Sequence, residues 1–134
     1  GIHSSLINYN GNLLYGNQEG VYRYNFEKEY FSKDSVFSTL YNSQNYISGK
    51  LIKDDVSNNL IGFNNSSINY FSPGKLSDIP NLETIPLPNT LRKSKTGYEN
   101  ISLIGVNEYL FGTSEGYILI DLNKACLKFL KSQV

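Results

Sequence analysis

Few residues of this 134-residue chain have side chains suited to acid–base or metal chemistry, and they form no recognisable motif. His3 is the only histidine, so a catalytic triad or a histidine metal site has no partners at a known spacing. Asp54 and Asp55 are adjacent, and paired carboxylates could bind a cation or exchange protons. However, adjacent strand residues point to opposite faces, and the Asp-x-Asp-x-Asp-Gly calcium spacing is missing. We therefore expect a solvated turn here, and no metal, cofactor or catalytic residue in the chain.

A basic cluster is the first candidate for ligand binding. It consists of Arg92, Lys93 and Lys95, with Tyr98 nearby. Such a cluster could contact an anionic glycan, a phosphate or an acidic partner. Simple solvation of the loop is the competing interpretation. No aromatic residues are interleaved to form a nucleic-acid platform, so we expect no nucleic acid to be contacted.

Composition favours one all-β domain. The 12 basic and 12 acidic residues cancel, which leaves no overall attraction to nucleic acid or to an anionic membrane. The 11 Tyr and 7 Phe suit pleated, half-buried surfaces, whereas strong helix formers are scarce. The single cysteine, Cys126, excludes an internal disulfide, and we expect it to be a partly buried apolar residue. No apolar run is long enough to cross a bilayer.

The stretch YLFGTSEGYILIDLNK, residues 109–124, predicts two short strands joined by a tight turn. Glu115-Gly116 stands at the turn, where glycine accepts the positive φ that tight turns need. Residues 13–24 match residues 109–120 without a gap, and Glu19-Gly20 coincides with Glu115-Gly116. This recurrence indicates a repeated hairpin.

Residues 59–70 form a third copy of the hairpin. Gly62 lies 46 residues after Gly16 and 50 residues before Gly112. We predict that these three glycines occupy equivalent places in three successive sheets, with Gly20 and Gly116 as further turn glycines. The recurring glutamates, Glu19 and Glu115, either form a repeated ligand site or serve the turns, and we favour the turns.

A period near 48 residues is typical of a four-stranded propeller blade. We predict a partial β-propeller of about three four-stranded antiparallel blades, covering residues 1–46, 47–97 and 98–134, with the last blade incomplete. Pro86 and Pro88 suit an edge strand. Residues 125–131 could form a short helix or a last strand, and we favour a strand or an irregular tail. Propellers close with four to eight blades, so we expect a fragment of a larger propeller. The remaining blades of a parent chain, or copies of this chain, would complete it.

Three tyrosines lie on predicted strands near the hairpin turns: Tyr22, Tyr24 and Tyr70. A tyrosine buries its ring and keeps its hydroxyl in water, which suits contact with a sugar. In a repeated sheet, the same residues pack between blades. Both interpretations remain open, and packing is the favoured one.

The hairpins resemble the repeat of two-component regulator propellers. Residues 12–16, NLLYG, with residues 20–25, GVYRYN, carry the resemblance, and Phe111-Gly112-Thr113 with Gly116-Tyr117 fits the same pattern. Residues 68–78 look like the last blades of flavobacterial LuxR-type members. In those proteins the propeller precedes a triple-tyrosine immunoglobulin-like domain, a transmembrane helix and cytoplasmic signalling parts.

The resemblance implies a non-enzymatic ligand-sensing part of a membrane-anchored bacterial regulator, either transcriptional or two-component. It places this segment on the periplasmic side of the inner membrane, outside the bilayer itself. The implied ligand is a small saccharide or another envelope molecule. Two alternatives remain: an oligomeric propeller lectin that binds carbohydrate, and a fragment of a propeller enzyme.

Overall fold

The computed structural model describes residues 4–40, 44, 46–64, 66–72, 81–86, 101–113, 116–124 and 126–131. Within these residues the chain forms three antiparallel sheets, each with four strands in sequence order. The predicted all-β, partial β-propeller with three four-stranded blades is confirmed. We call the sheets blades 1, 2 and 3.

The strands have the following bounds. Blade 1 contains β1 (Ser5–Tyr9), β2 (Asn12–Asn17), β3 (Gly20–Asn25) and β4 (Tyr30–Lys33). Blade 2 contains β5 (Tyr46–Lys53), β6 (Leu60–Asn64), β7 (Ser67–Ser72) and β8 (Asn81–Pro86). Blade 3 contains β9 (Ile101–Gly105), β10 (Glu108–Thr113), β11 (Gly116–Asp121) and β12 (Cys126–Lys131).

Blade 3 has a complete set of four strands, which corrects the expected incomplete blade. Its last strand, β12, pairs with β11 along six residues from Cys126 to Lys131. Pro86 ends β8, which is an edge strand of blade 2, where proline is tolerated, and Pro88 lies outside the described residues.

The first turn of each blade contains an asparagine in the left-handed region. Asn10 has φ 50° and is followed by Gly11 with φ 79°, while Asn58 has φ 61° and Asn107 has φ 58°. Asparagine reaches this region at lower cost than most other residues. The two positive values in succession at Asn10-Gly11 fit the two-residue hairpin that joins β1 to β2.

The predicted equivalence of the three glycines is wrong for Gly62. Phe63 pairs with Ile68 across four intervening residues, as Gly16 pairs with Val21 and Gly112 with Tyr117. Phe63 therefore holds the place of the two glycines, and Gly62 lies one position earlier. A shift of one residue moves a strand position to the other face of its sheet. Glycine identity misled the alignment because a glycine has no side chain to mark its face.

Blade 2 is packed on both faces, and all five residues of β6 are buried. Successive residues of β6 point alternately to the two faces of blade 2, as the two-residue period of a strand requires. The cluster between blades 1 and 2 contains Tyr9, Leu14, Val21, Phe37, Leu40, Leu51, Leu60 and Phe71. The cluster between blades 2 and 3 contains Ile61, Phe63, Ile68, Tyr70, Ile85, Tyr109, Phe111, Ile118 and Ile120.

A 3₁₀ helix, Phe37–Leu40, closes the cluster between blades 1 and 2. Asp34 starts it, because its Oδ1 atom accepts hydrogen bonds from the backbone N–H groups of Val36 and Phe37, both at 2.9 Å. The ring of Phe37 makes edge contacts with Tyr9 and Phe71 at centroid distances of 5.9 and 5.6 Å. The helix therefore connects the two blades directly.

Replacing Phe111 with alanine tests the packing between blades 2 and 3. Its ring stacks on Phe63 with centroids 5.2 Å apart, and both side chains are buried. We expect Phe111→Ala to lower the free energy of unfolding by about 3–5 kcal/mol in urea titrations. Val56→Ala is the control, because Val56 is exposed and its loss costs within about 0.5 kcal/mol. Equal effects of the two substitutions would contradict this packing.

Two of the recurring glycines, Gly20 and Gly112, should respond differently to alanine. Gly20 has φ 136°, and a Cβ atom there would lie 2.8 Å from Ser38 Oγ. A Cβ atom at Gly112 meets nothing within 4 Å, and Phe63 occupies the same place in blade 2. We expect Gly20→Ala to cost about 1 kcal/mol or more and Gly112→Ala to change stability by less than about 0.5 kcal/mol. Thermal and urea unfolding of both variants would measure the difference.

Candidate functional site

A groove of about 330 Å³ opens at the end of blade 1, between the β1–β2 turn and the β3–β4 turn. This volume lies at the lower end of the range for small-molecule sites. The lining residues are Gly11, Asn12, Arg23, Tyr24, Asn25, Phe26, Glu27 and Ser32. They include aromatic rings, amides and both signs of charge.

Asn25 shapes the β3–β4 side of the groove. Its Oδ1 atom accepts hydrogen bonds from the N–H groups of Glu27 and Lys28 at 3.0 and 2.9 Å. The turn closes with Glu29 at φ 56°, whose N–H donates to the Asn25 carbonyl at 2.8 Å. This asparagine-capped turn carries Phe26, which keeps 66% of its surface exposed. Val56 and Val106 are exposed to a similar degree, so the exposure of Phe26 is informative only together with the groove beside it.

The rings around the groove are held by one another. Phe26 meets Tyr24 edge-on with centroids 5.0 Å apart, and Tyr24 also lies 5.0 Å from Phe31. Phe31 in turn contacts Tyr15 at 6.1 Å. Aromatic contacts of this kind contribute about 0.5–1.5 kcal/mol each beyond the area they bury. The exposed ring of Phe26 therefore rests on a supported aromatic base.

The polar lining complements these rings. The Arg23 guanidinium is half exposed and lies 3.5 Å from the Asp34 carboxylate. Glu27 is exposed, and Asn12 presents a half-buried amide. A sugar ring offers an apolar C–H face and several hydroxyls, which suits aromatic rings beside amide, carboxylate and guanidinium groups.

A second polar cluster joins blades 2 and 3 at their first turns. The Tyr109 hydroxyl donates to Asp54 Oδ2 at 2.5 Å, and the Ser57 hydroxyl donates to the same atom at 2.6 Å. Asp54 Oδ1 accepts from the N–H groups of Val56 and Ser57 at 2.9 and 3.3 Å. Both oxygens of this buried carboxylate are therefore satisfied within the protein.

These contacts shift the pKa of the Asp54 carboxyl and the pKa of the Tyr109 hydroxyl in opposite directions. Burial alone would raise the pKa of the Asp54 carboxyl, but the hydrogen bonds from Ser57, Tyr109 and the backbone outweigh it and hold that pKa below its ordinary value. Burial, together with the hydrogen bond to Asp54, raises the pKa of the Tyr109 hydroxyl. The carboxylate is therefore the stable form in the folded protein.

The same turn also contacts both neighbouring blades through asparagines. Asn58 Nδ2 donates to Asn10 Oδ1 at 2.7 Å, and the Tyr9 hydroxyl donates to the Asn58 carbonyl at 2.8 Å. Asn59 Nδ2 donates to Asn107 Oδ1 at 2.9 Å. Because its partners lie inside the protein, we interpret this cluster as structural.

The structure corrects two expectations about side chains. Asp55 is exposed in an ion pair with Lys53 at 3.1 Å, but Asp54 is buried, so only one of the two carboxylates is solvated. Cys126 is exposed, whereas we expected partial burial. It begins β12, which is an edge strand and has a neighbour on one side only.

The sequence-predicted ligand residues are only partly described. Arg92, Lys93, Lys95 and Tyr98 lie outside the described residues, as do His3 and Glu115. Glu19 is exposed at its hairpin tip, and its N–H donates to Asn17 Oδ1 at 2.8 Å. The groove was missed because its residues are brought together by two turns that are separated in sequence. The Asn-Phe-Glu run at the end of β3, residues 25–27, was the available signal.

The three tyrosines separate into two settings. Tyr22 and Tyr24 lie half-buried on β3, and Tyr24 lines the groove. Tyr70 is buried between blades 2 and 3, and its hydroxyl donates to Glu83 at 2.5 Å. Burial and the neighbouring Glu83 carboxylate raise the pKa of Tyr70. Tyr70 therefore packs between blades, while Tyr24 is available to the groove.

Among the residues that the structure describes, no three His, Cys, Asp or Glu side chains gather to hold a metal ion. In the same residues, no helix has the length and apolarity needed to traverse a membrane. Comparisons with protein-family models, curated proteins and solved structures find no significant match to this chain.

The depressed pKa of Asp54 predicts a loss of stability in acid. A lowered folded-state pKa contributes stability above the unfolded value, near pH 4, and that contribution disappears as the pH falls through the folded value. We expect Asp54→Asn to cost about 1–3 kcal/mol at neutral pH and to flatten the acid limb of the stability curve. Asp55→Asn is the adjacent, exposed control. The measurement is urea unfolding of both variants between pH 2 and pH 7. Indistinguishable stability curves for the two variants would refute the role assigned to Asp54.

Proposed function

We propose that this chain is a non-enzymatic ligand-sensing segment, and that the groove at the end of blade 1 binds a small saccharide. The single observation that carries the proposal is the exposed Phe26 ring, supported by Tyr24 and bordered by Arg23 and Glu27. The resemblance of the hairpins to regulator propellers supports a sensing role on the periplasmic side of a membrane-anchored bacterial regulator.

The groove combines one apolar surface with several polar groups. The Phe26 ring offers a flat face for the C–H side of a sugar, and burying it would recover about 25 cal/mol for each Å² of apolar area. The Asn12 amide, the Arg23 guanidinium and the Glu27 carboxylate can exchange hydrogen bonds with hydroxyls. Binding sites commonly place a few polar groups around an apolar surface in this way.

Sensing requires more than binding, because a ligand shifts an equilibrium only by its differential affinity for two arrangements. The groove lies between the β1–β2 turn and the β3–β4 turn, and the first of these turns also bonds to blade 2 through Asn10. A ligand held against Gly11 and Asn12 would therefore bias the contact between blades 1 and 2. We propose this junction as the element that the ligand influences.

A carbohydrate-binding lectin is the second candidate. The same groove supports it, since the chemistry of sugar recognition is common to both functions. The lectin differs in needing copies of the chain to assemble for multivalent binding, whereas the sensor needs a signalling part. The encoding gene distinguishes them: a membrane-spanning and signalling continuation supports the sensor, and its absence overturns that role.

Substitution of Phe26 tests the groove. We expect the wild-type chain to bind members of an immobilised panel of neutral and acidic oligosaccharides, and Phe26→Ala to weaken that binding about tenfold, equivalent to about 1.4 kcal/mol. Leu82→Ala is the matched control, because Leu82 is an exposed apolar residue on blade 2. Loss of the Tyr24 contact should lower the free energy of unfolding of Phe26→Ala by about 0.5–1.5 kcal/mol, so binding is compared where circular dichroism shows both variants fully folded.

Two results would contradict the saccharide site. One is a wild-type chain that binds no glycan of the panel, and the other is glycan binding that Phe26→Ala leaves intact. Hydrolysis or elimination of a panel member by the wild-type chain would instead overturn the non-enzymatic assignment.

A further inference from the structure

Blade 1 exposes a face whose counterparts in the other blades are covered. The corrected register makes Tyr15 equivalent to Gly62 and Phe111, and Tyr22 equivalent to Asn69 and Ile118. The four counterparts in blades 2 and 3 are buried against the preceding blade, whereas Tyr15 and Tyr22 are only half-buried. Leu13 and Tyr24 lie on the same face and are also half-buried. We call this set the leading face.

Blade 3 exposes its other face, the one that in blades 1 and 2 packs against the following blade. Tyr117 is 50% exposed, whereas its equivalents Val21 and Ile68 are 0% and 1% exposed because the following blade covers them. Leu110 and Leu119 pair with each other across β10 and β11 on the same side of the sheet and are half-buried. We call Leu110, Tyr117 and Leu119 the trailing face.

The two open faces are the two halves of the contact that already joins the blades. Between blades 1 and 2, and again between blades 2 and 3, a trailing face packs against a leading face. Among the described residues, nothing covers the leading half of blade 1 or the trailing half of blade 3. Because the chain has zero formal net charge, no overall repulsion opposes the approach of two copies.

We propose that a second copy of this chain covers both faces, so that two copies form a closed six-bladed ring. Each trailing face packs on the leading face of the other copy, in a head-to-tail contact that continues the internal one. Repeated head-to-tail contacts give either a closed ring or an open filament, and closure is set by the rotation per unit. Six blades fall within the four to eight with which propellers close.

The oligomeric state of the purified chain tests this inference. Size-exclusion chromatography with light scattering should give twice the chain mass of 15.1 kDa at micromolar concentration. Tyr117→Asp places a charge on the trailing face and should give the single-chain mass with an unchanged far-UV circular dichroism spectrum, and Tyr117→Lys repeats the test with the other sign. Val56→Asp is the control, because Val56 is exposed on the β5–β6 turn of blade 2 and should leave the dimer intact.

A mixing experiment distinguishes head-to-tail contact from a symmetric pairing of like faces. Tyr22→Asp disables the leading face, so this variant and Tyr117→Asp should each be monomeric alone. An equimolar mixture should regain a dimer, since one chain keeps its trailing face and the other its leading face. Tyr117→Asp that remains dimeric alone, or a mixture that remains monomeric, would overturn the contact.

The mass that the wild-type chain shows in solution decides between a closed ring, a monomer and an open filament. A monomer would overturn the ring and leave the faces to further blades of a longer polypeptide. A ladder of increasing masses would show head-to-tail contact without closure and would also overturn the six-bladed ring. Glycan binding by the groove is measured separately, so that failure of the ring and failure of the saccharide site are distinguishable.

Discussion

Burial of blade 2 between its neighbours determines which sheet faces must meet in this fold. A four-stranded sheet has two faces, and in blade 2 both are apolar, with Leu60 packed toward blade 1 and Ile61 toward blade 3. Neither face could remain in water without losing the main favourable contribution to folding. The chain therefore needs at least one sheet on each side of blade 2. The outer faces of blades 1 and 3 have no such neighbour among the described residues, and Tyr117 on blade 3 is 50% exposed.

Apolar packing fixes which faces meet, and the turn hydrogen bonds fix how they meet. Hydrophobic contact is non-directional, so the stack at Phe63 and Phe111 alone permits sliding and rotation. The Asp54 carboxylate has defined lone-pair directions and receives the Tyr109 hydroxyl from the next blade. Asn58 and Asn10 add a second link on the other side. These polar contacts set the relative positions of successive blades at one end of the sheets.

The sequence correctly predicted the strands and hairpins, but it did not correctly predict which face of its sheet each residue occupies. The hairpins, the all-β class and the four-stranded unit follow from periodicity and turn chemistry, which act over a few residues. The place of Gly62 did not follow, because a glycine carries no side chain and only the pairing of Phe63 with Ile68 reveals the shift. Burial of Asp54 depends on a tyrosine 55 residues away. The groove depends on two separate turns, and no local pattern specifies such an encounter.

Tyr24 connects the two open questions about this chain, because it belongs both to the groove and to the leading face. Any sheet that covers the leading face also restricts the Tyr24 ring, which supports the exposed ring of Phe26. Ligand binding that orders Phe26 would in turn pre-organise Tyr24 for docking, and coupling of this kind is reciprocal. A ligand in the groove and a blade on the leading face would therefore strengthen or weaken each other by the same factor. Under the two proposals above, this coupling would link ligand binding in the groove to the docking of a blade on the leading face.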